Sequence, residues 1–159
     1  MDDKQKGYFP EVKGSNLEGK NYNLPGDFEG KINLVFVAFQ RWHQDLVDSW
    51  MPAALKIADS TPGLCFYELP TLYNANFLYR KMINSGMKSG IPDVSARERT
   101  ITLYIDKDGF RGSLNIPDEE SIHIYLVDRK GNIFWESSGE YNSEKEKNLL
   151  KAIKSLSKD

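Results

Sequence analysis

The run "INLVFVAF" (residues 32–39) constrains the fold more than any other stretch of the chain. It is apolar but for Asn33 and shows no alternation, the pattern of a central strand covered on both faces. The run stops at Gln40, and a Trp-His pair follows (Trp42, His43). Residues 43–59 then read as a helix. Leu46, Val47, Trp50, Met51, Ala54, Leu55, Ile57 and Ala58 give it a broad apolar stripe, with Asp45 and Asp48 near the favourable N-terminal end. Pro52 lies inside this helix and predicts a kink, at a cost of about 3 kcal/mol unless packing compensates.

Around this unit the other elements follow from periodicity and turn residues. Residues 8–24, punctuated by Gly14, Gly19 and Asn21, predict a β-hairpin, and "PGDFEGK" (25–31) a turn into the central strand. "LCFYEL" (64–69) predicts a second strand, residues 72–86 a helix stopped by Gly86, and "MKSGIPDVSARE" (87–98) an irregular polar loop. "TITLYID" (100–106) is a third strand. "KDGFRGSLNIPDEE" is a short helix or turn, with "DKDG" (106–109) read as a turn and "DEE" (118–120) as a helix-start acidic patch. "SIHIYLVD" (121–128) and "NIFWES" (132–137) form a hairpin across "RKG". Residues 143–156 predict a terminal amphipathic helix, with Ser143 and Glu146 as a capping box and Leu149, Leu150, Ile153 and Leu156 as its buried stripe. The order predicts an α/β domain: a mixed central sheet with an N-terminal β-hairpin and helices on both faces. Neither repeat nor linker divides the chain, so residues 1–159 read as a single domain.

Composition excludes several functions. With 21 basic and 23 acidic residues the net charge is −2, which supplies no bulk attraction to nucleic acid or to an anionic membrane. No apolar run approaches the roughly 20 residues that span a bilayer. The hydrophilic start, "MDDKQKGYFPE", lacks a signal-peptide core and leads to the expectation of a cytoplasmic location. The lone cysteine, Cys65, rules out an intrachain disulfide, a CxxC dithiol and a cysteine-rich zinc site. There is no phosphate-binding glycine loop and no nucleophile in a recognised motif, so no cofactor is expected.

The element order and three local matches resemble the redoxin branch of the thioredoxin-like superfamily. "LEGKNYNLPGDFEGKINLVFVAF" resembles its leader and central strand, "MPAAL" (51–55) its proline-kinked first helix, and "IYLVDRKGNIFW" (124–135) its closing strand pair. The segment "LVDRKGNIFWESSGEYNSEKEKNLLKAI" also resembles the thioredoxin-like assembly factors of the mitochondrial F-type ATP synthase.

The departures bear on function. Aligning on Trp42 puts His43 and Leu46 where the family carries its two cysteines; aligning on Pro52 puts Gln44 and Val47 there. Neither register holds a thiol, so dithiol exchange at this junction is excluded for want of a thiolate. Ile122 occupies the position of the family's cis-proline, and a cis bond before a non-proline residue costs about 2.5–4 kcal/mol.

The resulting expectation is a redox-inactive thioredoxin-like domain that binds a protein or peptide, or acts in assembly, through the groove where the CxxC would sit. That groove is expected between Phe39–Asp45, the 87–98 loop and Ser121–His123, with Trp42, His43, Gln44, Asp45, Ser121, Ile122 and His123 as its residues. Trp42 is expected to be exposed as an anchor, and Trp50 to belong to the core. The alternatives are a peroxidase or reductase relying on Cys65, or a metal or acid–base site of His43, His123 and Asp45. Against these stand a mid-strand Cys65 buried as a small hydrophobe, His43 as a solvated helix-start residue and His123 as a satisfied strand residue. "SARERT" (95–100) reads as a solvated basic loop. The partner and the oligomeric state are not legible.

Overall fold

The computed structural model describes residues 6–73 and 77–156. In chain order these form β1 (Gly7–Tyr8), β2 (Val12–Asn16), β3 (Asn21–Leu24), β4 (Ile32–Ala38), a 3₁₀ turn (Arg41–His43) and α1 (Gln44–Ser60). There follow β5 (Leu64–Tyr73), α2 (Phe77–Gly90), α3 (Val94–Arg99), β6 (Ile101–Ile105), α4 (Lys107–Ser113), β7 (His123–Val127), β8 (Asn132–Ser138) and α5 (Ser143–Leu156).

One eight-stranded mixed sheet runs in the order β1-β8-β7-β4-β5-β6-β2-β3. The expected central strand, β4, pairs in parallel with β5 (Leu34 opposite Phe66) and antiparallel with β7 (Leu34 opposite Leu126). Leu34, Val35, Phe36 and Val37 are all fully buried, which accounts for the unbroken apolar run. The period-2 pleat divides them between two cores. Leu34 and Phe36 meet Val47, Trp50, Ala54 and Ile57 of α1 and Leu149 of α5. Val35 and Val37 meet Phe9, Phe28, Tyr67, Phe110 and Tyr125 on the other face. The turn before β4 needs its glycine, since a Cβ on Gly30 would stand 2.5 Å from the Ile32 carbonyl and 2.8 Å from the Cys65 amide.

Several expectations are refined. Helix α1 runs without interruption through Pro52, whose ring is exposed. The segment 87–98 is not an irregular loop: α2 continues to Gly90, and Asp93 caps a separate α3, accepting from the Ser95 N–H at 3.3 Å. "SARERT" therefore lies largely on α3, where Arg97 is engaged by Glu18 at 2.8 Å rather than solvated. "DKDG" opens α4, and "DEE" is a bend rather than a helix start. The N-cap of α5 is Asn142, not Ser143, because the Asn142 side chain accepts from the Lys145 N–H at 2.8 Å.

Candidate functional site

The β4–α1 junction is held by His43. Its Nδ1 accepts from the backbone N–H of Phe39 at 3.0 Å and of Gln40 at 3.2 Å, while the His43 N–H donates to the Gln40 carbonyl at 3.0 Å. A strand entering a helix leaves amides without ladder or helix partners, and here an imidazole takes two of them. These bonds fix the neutral tautomer with its proton on Nε2. The ring is fully buried, and Nε2 has no hydrogen-bond partner. His43 is thus neither a solvated helix-start residue nor an open groove contact. It is the support on which Trp42 rests edge-on, with ring centroids 4.4 Å apart and Trp42 55 % exposed.

The other expected residues sort by accessibility. Gln44 and Asp45 are exposed, Ser121 and His123 are half-buried, and Ile122 is fully buried. Gln44 turns toward β5, donating to Asp48 at 2.8 Å and Glu68 at 3.2 Å. Burial pushes the Glu68 carboxyl up, with Asp48 adding to the shift and the Gln44 hydrogen bond and Arg99 opposing it. His123 pairs with Val37 across the sheet and lies within electrostatic reach of His43. His43 and His123 thus lie within electrostatic reach of one another near the carboxyl end of β4, with Ser121 and Ile122 just before His123 in the chain. The Ser121–Ile122 bond is trans; the cis bond among the described residues is Leu24–Pro25.

A set of residues that sequence reasoning passed over completes this corner. Glu119 Oε1 takes the Lys107 ammonium at 2.8 Å and the Gln40 amide at 3.2 Å, and its Oε2 lies 3.4 Å from Arg111 Nε. Lys107 is only 6 % exposed, with Nζ 4.6 Å from the centroid of the Tyr73 ring. Glu119 thus ties α4 to the β4–α1 turn at the place where the resemblance would set a dithiol facing a cis-proline. The available signals were "DEE" just before β7 and a lysine between Ile105 and Phe110, both core-facing types. Neither indicates a pairing partner.

The same corner perturbs both histidines. Burial pushes the His43 imidazole down; Glu119, through its backbone and its charge, and Glu120 oppose this, while Lys107 adds to it. Burial likewise lowers His123, with Asp118 opposing and His43 adding. Unfolded imidazoles protonate near the ordinary 6.5 and these folded ones only below it. Between those limits the unfolded chain holds more protons, so stability falls as pH drops below 6.5 until the folded imidazoles protonate as well. Glu68 has the opposite sign, its raised carboxyl adding stability as pH falls toward the ordinary 4.5. Urea unfolding on either side of 6.5 measures the slope, and His43→Asn should reduce it, because the amide oxygen still serves the Phe39 and Gln40 N–H groups but does not titrate.

Cys65 stands at the other end of the sheet. It pairs with Asn33 on β4, six residues before Phe39, hence roughly 20 Å from the junction. The thiol is half-buried and is pushed up by burial and by Glu29, with Arg129 opposing. That is the reverse of an activated thiolate. Among the described residues no three His, Cys, Asp or Glu side chains gather in a metal-binding group.

Known structures share this architecture. BsSco, a member of the Sco family of cytochrome c oxidase assembly proteins, matches with a TM-score of 0.67 at 14 % identity, over 99 % of this chain and 98 % of its own. The exposed lipoprotein thioredoxin Etrx1 of Streptococcus pneumoniae matches with a TM-score of 0.59 at 13 % identity, over 92 % and 99 % of the two chains. A thiol:disulfide interchange protein from Bacteroides sp. matches with a TM-score of 0.54 at 20 % identity, over 92 % and 88 %. These likenesses establish a thioredoxin-like fold. No curated protein matches the sequence. The profile of the ATP10 protein family, however, matches residues 2–156. A thioredoxin-like chain matched over nearly its whole length, and ending in the segment that resembles the ATP synthase assembly factors, belongs to the ATP10 protein family.

Proposed function

We propose that this chain is a redox-inactive assembly module that binds a protein or peptide segment at the carboxyl end of β4. Trp42 is the anchor, with Gln44, Asp45, Ser121 and His123 around it and His43 and Ile122 as the buried support. The observation that carries the reading is Trp42 itself, a large aromatic 55 % exposed yet held edge-on against a locked, buried imidazole. Such an aromatic binds at low cost in conformational entropy, as interface anchors do. Membership of the ATP10 family supports an assembly role, and the absence of any thiol near the junction supports one without disulfide exchange.

The test uses cells lacking the protein, complemented with variants, and measures assembled ATP synthase on native gels. Trp42→Ala should leave folding stability within about 0.5 kcal/mol of wild type, as exposed substitutions do, yet reduce assembly severely. Cys65→Ser should assemble as well as wild type, and native Cys65 should react slowly with thiol reagents. Full assembly by Trp42→Ala, or loss of assembly in Cys65→Ser, would overturn the reading.

A further inference from the structure

The outward face of α2 has no counterpart elsewhere among the described residues. None of residues 78–90 is buried, although the helix carries Leu78, Tyr79 and Met82. These three are 76 %, 51 % and 64 % exposed, and Tyr73, just before the helix, is 60 % exposed. The half-buried residues of α2 are Arg80, Ile83, Asn84 and Met87, a mixed set. The Tyr104 hydroxyl reaches the Arg80 carbonyl at 3.3 Å and Asn84 Oδ1 at 3.1 Å, and the Thr102 hydroxyl reaches Met87 Sδ at 3.8 Å. Leu78, Tyr79 and Met82 are thus exposed apolar residues beyond the half-buried Ile83 and Met87, a row that an ordinary surface helix does not present to solvent.

Charge distinguishes this face as well. From Leu69 to Pro92 there is no Asp or Glu, and the charged residues are Arg80, Lys81 and Lys88. Lys81 and Lys88 are exposed along one flank of the Leu78–Met82 row, Lys88 also reaching Glu18 at 3.5 Å. The overall charge of −2 conceals this local excess.

We infer that α2 docks on an anionic lipid surface. Leu78, Tyr79 and Met82 enter the headgroup boundary, and Lys81 and Lys88 hold the negatively charged headgroups. A partner groove that reads a helix uses anchors repeated at i, i+4 and i+7. Here the row ends after one turn, at Ser85 and Gly86, too short for such a groove but sufficient for shallow interfacial insertion. Tyrosines beside lysines are also the residues that favour the headgroup region. No helix among the described residues is long and apolar enough to cross a membrane, so the contact is peripheral.

Flotation of the full chain with phosphatidylcholine vesicles, with and without phosphatidylglycerol, tests this. Binding is expected on the anionic vesicles only and should weaken with added salt. Leu78→Ser/Met82→Ser and, separately, Lys81→Glu should each reduce it about tenfold, from lost apolar insertion and reversed charge. Circular dichroism should show both variants folded, since they alter exposed positions. Absence of wild-type binding, equal binding to neutral vesicles, or unchanged binding in both variants would overturn the proposal. Loss of ATP synthase assembly in Leu78→Ser/Met82→Ser without any vesicle binding would assign the face to a protein partner instead, and overturn it too.

Discussion

Trp50→Ala should destabilise the protein by about 3–5 kcal/mol, the range for truncating a buried aromatic. Trp50 is fully buried and joins parts of the chain that share no backbone ladder. Its indole N–H donates to the Gly139 carbonyl at 2.9 Å, and its ring meets Phe36 of β4 (5.9 Å), Trp135 of β8 (6.3 Å) and Tyr141 before α5 (5.3 Å). The contact is reinforced by the Tyr141 N–H, which donates to Ser49 Oγ at 3.0 Å. Removing the indole leaves a cavity between α1 and the sheet and strips the Gly139 carbonyl of its donor. Native domains are stable by only about 5–15 kcal/mol, so the variant forfeits a large share. Calorimetry should show a Tm lowered by about 6–20 °C, from roughly 2–4 °C per kcal/mol at this chain length. Trp50→Phe, which keeps the apolar contacts and loses the hydrogen bond, should fall between.

Glu119→Ala is expected to cost a comparable 3–5 kcal/mol for a different reason. The carboxylate is the ion partner of Lys107, whose side chain is 7 % exposed, and it also holds Gln40 and approaches Arg111. Truncating one member of such a pair strands the other charge in a poorly solvated site, whereas replacing both by apolar groups is often neutral. Lys107→Met/Glu119→Leu should therefore be markedly more stable than Glu119→Ala alone, and chemical denaturation of the three proteins reads the difference. If the single variant is as stable as wild type, Glu119 does not hold the corner together. The assembly measurement adds a functional readout. Because Gln40 is bonded to Glu119 and its N–H to His43, loosening this corner should also release Trp42 and weaken assembly even in a folded variant.

Much of the fold was legible because the features that carry it are local. The unbroken apolar run became β4, the turn at Asp128 to Gly131 became the β7–β8 hairpin, and the 143–156 stripe became α5. Errors arose where side-chain chemistry competed with pattern. Asn142 took the cap expected of Ser143, and residues 87–90 and 94–98 proved helical on either side of a short connection, where Asp93 caps α3 and Arg97 finds Glu18 and the Ile91 carbonyl, none of which periodicity reports.

The candidate site divides the same way. Trp42 and the absence of thiols were readable residue by residue, since a missing sulfur is missing in any fold. His43 was singled out, but its burial and its two backbone bonds were not foreseen, because an acceptor four residues from its donor counts only once the strand has stopped and the chain has turned. Gln40 and Glu119 lie 79 residues apart in sequence, and Lys107 and Glu119 belong to different segments of the β6–β7 crossover. By itself the sequence determined the element order, the two-faced central strand and the lack of dithiol chemistry, all consequences of residue type and spacing. Only the tertiary structure decided which polar groups are buried and what satisfies them, because burial and pairing across tens of residues arise when the sheet closes, and no local period encodes that closure.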